Sequence, residues 1–177
     1  MSPRHFGLAA AATLLVPLLG WTTTTERMKV SSRHTMAVVQ QQQVAVGDRP
    51  GHVLLLMESH GTNRNTGPAR WMEGSTLVSS GTADLVAGTG PHQGYIIEIE
   101  NGDTSYVRWS GRVTTTLTDG KAPMTSFEGR WTKTGGSGRF TDATGAGSYR
   151  GQFTSPTQYT TEWSGEVEVP KGYTSSR

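Results

Sequence analysis

From residue 51 onward apolar and polar side chains alternate in short stretches: HVLLLMESH, TLVSSGTADLVAG, GYIIEIE, TSYVRWSGRVTTTL, MTSFEGRWTK, GAGSYRGQF and YTTEWSGEVEV. Each is bounded by Gly, Asn, Asp or Pro, and successive strand side chains point to opposite faces, so the pattern predicts half-buried β-strands. No long helical period is present after residue 30. Seven such segments, with an eighth before them or around Trp71, are enough to close a small barrel. The fold class expected is all-β, an eight-stranded antiparallel up-and-down β-barrel.

Asn101-Gly102 stands between IIEIE and DTSYVRW, and this dipeptide is the strongest short-range hairpin signal because both central residues take positive φ. A two-residue loop places Gly94 opposite Trp109, Ile96 opposite Val107, Glu98 opposite Ser105 and His92 opposite Gly111. An aromatic-x-Gly pattern recurs at Trp109-Ser-Gly111, Phe127-Glu-Gly129, Tyr149-Arg-Gly151 and Trp163-Ser-Gly165, so ring and glycine share a strand face. Val113, Trp131, Phe153 and Val167 extend that face. The other phase carries Arg108, Arg112, Glu128, Arg130, Arg150, Gln152, Glu162, Glu166 and Glu168. That phase is the solvent side, and the aromatic phase points inward. Loops at TDGKA and TSPTQ that keep the register pair Trp109 with Trp131 and Tyr149 with Trp163.

The amino-terminal segment has a different texture. Residues 1–20 join a basic start at Arg4 to an apolar run from Phe6 to Gly20, too short for a comfortable membrane span and suited to a signal peptide. Secretion or a periplasmic location is the expectation, with an uncleaved anchor or a start at Met28 or Met36 as alternatives. Trp21 stands where a lipoprotein signal would carry its cysteine. Residues 21–35 are polar and without period, so 21–47 is expected to be a flexible tether with a possible first strand at MAVVQQQQVAV, ahead of a barrel over 48–169 and a tail over 170–177.

Composition narrows the partners. The chain of 177 residues has the length of one domain with a real core. Sixteen basic and fourteen acidic side chains leave a net charge of +2, with Lys and Arg scattered, which argues against a nucleic-acid surface. The absence of cysteine excludes disulfides and thiol chemistry.

The stretch GGSGRFTDATGAGSYRG, residues 135–151, packs six glycines into seventeen positions. A phosphate loop needs GxxxxGK[ST] or GxGxxG leading into a helix. Here the third glycine is missing and helix formers do not follow, so the stretch is expected to be a turn between two strands. It resembles the glycine-rich signature of the allene oxide cyclase-like barrels, a superfamily that includes plant allene oxide cyclases, dirigent proteins and bacterial secreted proteins. FEGRW before it, and PHQGY with the later WSG, resemble the bacterial members, and the resemblance covers roughly residues 48–169. It implies a calycin-like eight-stranded barrel with an internal cavity, often trimeric, in which a reactive apolar intermediate is held in one conformation. No plant catalytic motif matches position by position, and none is carried over.

The hairpin register turns two ionisable residues inward, His92 and Glu98, the candidates for general base and acid. The aromatic set Trp109, Phe127, Trp131, Tyr149 and Trp163, with Phe153 and Tyr159, either lines a pocket for an apolar ligand or fills the barrel. His52, His60 and His92 match no metal-ligand spacing, and Ser59 lies on the opposite face from Glu58 and His60. Tyr95, Ile97, Ile99 and Tyr106 are apolar on the outward phase, as at a contact between subunits. No cofactor is expected. Three readings follow: an exported barrel that binds a small apolar or aromatic molecule, an isomerase or cyclase that orients a reactive substrate, and an interaction module with a packed interior.

Overall fold

The computed structural model describes residues 24–117, 119 and 122–171. The signal-peptide segment, the last tail residues and part of the TDGKA loop lie outside the described residues. Eight strands follow in order: β1 Thr25–Ala45, β2 His52–Asn65, β3 Thr76–Val86, β4 Gly90–Glu100, β5 Asp103–Thr116, β6 Met124–Gly136, β7 Thr144–Ser155 and β8 Gln158–Pro170. Each pairs antiparallel with the next, and β1 pairs with β8, so the sheet is a closed up-and-down barrel.

Closure is the work of β1. Its first half, Thr25–Ala37, pairs with β8, and its second half, from Ser32 to Ala45, pairs with β2 across a register shift between Val38 and Gln40. The possible first strand expected at MAVVQQQQVAV is thus part of a longer strand that reaches back to Thr25, where a tether was expected, and the barrel begins there and not at residue 48. The alternation was hidden because the inner face of this strand mixes Val30 and Met36 with Ser32 and His34, all buried. Outside, Arg33, Glu162 and Arg150 stand in one row across β1, β8 and β7, with N–O distances of 2.8 and 3.0 Å.

The β4–β5 register agrees with the hairpin expectation at every pair: Gly94 opposite Trp109, Ile96 opposite Val107, Glu98 opposite Ser105, His92 opposite Gly111. Asn101 and Gly102 adopt φ of 53° and 87°, the left-handed pair that a two-residue turn requires. Trp109 faces Trp131, and Tyr149 faces Trp163.

The inner face has a lattice of rings laid over glycines. Gly94, Gly147, Gly151 and Gly129 are the direct cross-strand partners of Trp109, Trp131, Phe127 and Tyr149. A Cβ on Gly81 or Gly94 would sit 2.5 Å from Trp109 Cζ2, and one on Gly165 would sit 2.6 Å from Trp131 Cζ2. Each ring thus lies against the bare backbone of a neighbouring strand, where a side chain would displace it.

The two barrel ends differ. The β2–β3 connection and the β6–β7 turn fold in under one end, where Trp71, Met72 and Phe140 are fully or almost fully buried and Trp71 meets Phe140 edge-on at 5.4 Å. Asn63 Nδ2 donates to the carbonyls of Trp71 and Met72 at 2.9 Å each, and Trp163 Nε1 donates to Asn63 Oδ1 at 3.3 Å. The glycine-rich stretch is the turn expected of it. Its short 3-10 segment Gly138–Phe140 supplies the Phe140 plug, and Arg139 Nε donates to Asp103 at 2.7 Å, tying the plug to the β4–β5 hairpin.

Gly147 tests the ring lattice. A Cβ there would run into the Ser164 carbonyl and stand 2.6 Å from Trp131 Nε1. Gly147→Val is expected to lower unfolding stability by about 3 kcal/mol in urea titrations, through forced repacking. Its outward-facing neighbour supplies the control: Ala146→Val is expected to stay within about 0.5 kcal/mol. Equal stabilities for the two variants would show that the rings do not need the bare backbone.

Candidate functional site

The rings do not fill the barrel. They wall a cavity of about 1000 Å³ whose lining runs from Trp71 and Lys133 at the plugged end to Gly51, Gly88, Pro123 and Pro156 in loops at the other. Among the described residues the lining reaches the β1–β2, β3–β4, β5–β6 and β7–β8 connections at one end and the Trp71 plug, its floor, at the other.

All seven residues named for the site line this cavity or its wall: His92, Glu98, Trp109, Phe127, Trp131, Tyr149 and Trp163. His92 and Glu98 are nevertheless not brought together. Six residues along one strand separate them by about 20 Å. His92 belongs to the upper wall, where its ring stacks near Trp109 at 4.9 Å and its Nε2 accepts from the Tyr149 hydroxyl at 2.9 Å. Phe127 contacts Tyr149, Phe153 and Tyr159 in the same cluster. Burial pulls His92 down to about 4 and pushes the Tyr149 hydroxyl well above the ordinary phenol range, so at neutral pH an uncharged imidazole accepts from an intact phenol.

Glu98 belongs to the floor. Its carboxylate accepts from the Ser105 hydroxyl at 2.6 Å and faces Lys133 Nζ at 3.5 Å, and Lys133 also donates to Ser105 Oγ. The Lys133 and Glu98 side chains are 1% and 4% exposed, an ion pair almost wholly removed from water. Lys133 Nζ stands 4.7 Å from the centre of the Trp71 ring, a cation–π contact on the plug itself. Burial lowers the Lys133 ammonium from its ordinary value, and the charge of Glu98 opposes that effect.

His34 on β1 completes the floor. It is buried, lies 5.5 Å from the Trp163 ring, and is drawn down to about 4 by desolvation, with Glu98 acting in the opposite sense. Its Nε2 meets no hydrogen-bond partner, and neither does Trp109 Nε1 on the wall. Both residues line the cavity.

The sequence reading missed Lys133, Ser105 and His34 as site residues. Lys133 was within reach, because it shares the inward phase of Phe127, Gly129 and Trp131 on β6. His34 was not, because its strand shows no apolar period.

The other histidines sit elsewhere. His52, at the start of β2, bridges Asp48 and Asp84, with Nε2 2.7 Å from Asp84, and these carboxylates raise its proton affinity. His60 meets Glu58 at 2.7 Å on the outer face, away from Ser59, which is buried. Among the described residues no group of three or more His, Asp and Glu is arranged to hold a metal ion. On the outer face of β4 and β5, Tyr95 and Tyr106 are 55% and 39% exposed.

No family model matches the chain, and no curated protein matches it. Among solved structures it is similar to the pterocarpan synthase dirigent protein GePTS1, at 13% identity over 90% of this chain and 100% of that one, with a TM-score of 0.49. It is also similar to the pterocarpan synthase dirigent protein PsPTS1, at 16% identity over 84% and 97%, with a TM-score of 0.45.

Protonation of the wall and floor sets a pH dependence. Histidines in the unfolded chain titrate near 6.5, above the folded values of His34 and His92, so below that pH the unfolded state takes up protons first. Stability is expected to be complete on this account above pH 6.5 and to fall as the pH drops towards about 4. Imidazole NMR titration is expected to show His34 and His92 neutral down to that range while His52 keeps its proton above 6.5. Titration of all three near 6.5 would contradict the burial described here.

Proposed function

We propose that the barrel binds a small, elongated apolar or aromatic molecule with a polar head, inserted head-first from the end opposite the Trp71 plug. The observation that carries this reading is the cavity itself: about 1000 Å³ walled by Trp109, Phe127, Tyr149 and Trp163 and floored by polar groups. A barrel needing only a packed interior has no use for rings held against glycine. A cavity of that size matches pockets that enclose a small organic ligand.

The floor supports the polar head. Buried donors and acceptors are nearly always paired in native proteins, and an orphan costs roughly 1–3 kcal/mol. His34 Nε2 at the floor and Trp109 Nε1 on the wall are such atoms, on residues that line the cavity. The walls would take the apolar body by area burial, at about 25 cal/mol per Å².

A second reading, an isomerase or cyclase acting on the bound molecule, is favoured by one further observation. Such chemistry needs an ionisable group deep in the cavity, and Glu98 and Lys133 meet that requirement at the floor. His92 with Tyr149 would then orient the substrate higher up.

Titration with 1-naphthol, followed by quenching of tryptophan fluorescence, tests the binding reading. Saturable one-to-one binding is expected. Ala83→Trp, which projects an indole into the lumen from the β3 wall, is expected to weaken it at least tenfold with the melting temperature little changed. Binding that is unsaturable, or indifferent to a filled lumen, would place 1-naphthol on the outer surface and remove the main support for a ligand cavity.

A further inference from the structure

Lysine is the most readily exposed of side chains, and its burial needs a reason. Lys133 gains little for the fold from its position. The barrel's seam and plug are held by β1–β8 pairing, by Asn63 and by the Arg139–Asp103 tie. A buried ion pair replaced by apolar residues of like volume is commonly neutral or stabilising. The position instead gives Lys133 an amine at the bottom of an apolar pocket, a carboxylate at 3.5 Å, a hydroxyl in contact and an aromatic plate beneath it. Desolvated lysines in apolar pockets are the kind that form imines with carbonyl compounds, because only the free amine is nucleophilic.

We propose that Lys133 captures a carbonyl: an apolar aldehyde or ketone entering the barrel head-first forms an imine with its Nζ, with Glu98 as proton carrier and counter-ion. This deepens the ligand-binding reading and rests on it.

The chemistry closes within the floor. Glu98 takes one proton from the ammonium, and the freed amine adds its lone pair to the carbonyl carbon, forming the C–N bond while the C=O π pair moves to oxygen. A proton passes from nitrogen to that oxygen, giving a neutral carbinolamine. Glu98 then returns its proton to the hydroxyl, which leaves as water as the nitrogen lone pair forms C=N. The products are a protonated imine, one water and the Glu98 carboxylate. No oxidant or further reagent enters.

The other floor groups fit the same event. Ser105, hydrogen-bonded to both Glu98 and Lys133, holds the two in register. His34, buried with its Nε2 unpaired, lines the same end of the cavity. Burial of Lys133 favours the neutral amine, against the opposing charge of Glu98. After reaction the iminium inherits the place of the ammonium, over Trp71 and facing Glu98, so no new charge is left uncompensated.

Reductive trapping tests the proposal. The protein is incubated at pH 7 with trans-cinnamaldehyde and sodium cyanoborohydride, and the adducts are mapped by peptide mass spectrometry over Lys29, Lys121, Lys133 and Lys171, the lysines of the chain. Labelling of Lys133 is expected to be at least tenfold faster than that of exposed Lys29, and to be suppressed by cinnamyl alcohol, which has the same body and no carbonyl. Lys133→Arg, which keeps a cation beside Glu98, is expected to remove that fast adduct, with circular dichroism checking that the barrel is retained. If cinnamyl alcohol binds but Lys133 of the wild-type protein stays unlabelled, the capture proposal falls and the binding reading stands. If cinnamyl alcohol does not bind and Lys133 stays unlabelled, both fall.

Discussion

The contact of an aromatic ring with a bare backbone is the interaction on which the rest of this structure depends. An eight-stranded barrel has room inside for side chains and little else, and large rings pointing at the axis would close it. Here Trp109, Phe127, Trp131 and Tyr149 each face a glycine on the next strand and bend over it. The rings still leave water, so their hydrophobic contribution is kept. The volume they would have filled stays open, and a core becomes a lining.

That arrangement separates two jobs that most small domains combine. The hydrophobic free energy comes from the wall and from a dense plug of Trp71, Met72, Leu77 and Phe140 at one end. Polar chemistry is confined to a thin layer directly above the plug, where His34, Glu98, Ser105 and Lys133 meet. Removing those groups from water has a cost that the layer reduces by mutual pairing, and the groups left over face the cavity. His92 and Tyr149 are the exception higher up, a neutral pair that needs no counter-charge.

Much of this was legible in the residues, for reasons that differ by element. The β4–β5 hairpin could be read pair by pair, because Asn101-Gly102 admits one tight turn and the turn fixes the register. The inward aromatic phase of β5 to β8 was legible because its opposite phase is so densely charged. β1 was not, since its inner face mixes Val30 and Met36 with Ser32 and His34 and its glutamine run shows no face at all. The site was legible in half: His92 and Glu98 were correctly turned inward, but a single strand cannot show which neighbours each will meet. Lys133 pairs across β5 with Val107, and its approach to Glu98 needs three strands in register at once. The plug was beyond reach because Trp71 and Phe140 arrive from connections whose path no periodicity describes.

The difference between the two barrel ends has a consequence for selectivity. A tube sealed at its base and open above inspects only the leading end of whatever enters. The floor tests chemistry and the walls test girth, whereas length goes unmeasured, because excess chain simply trails out past Gln41 and Gln43 at the rim. Homologous molecules that share a head and differ in tail are therefore indistinguishable to this barrel beyond its depth. Discrimination among them would have to come from outside it.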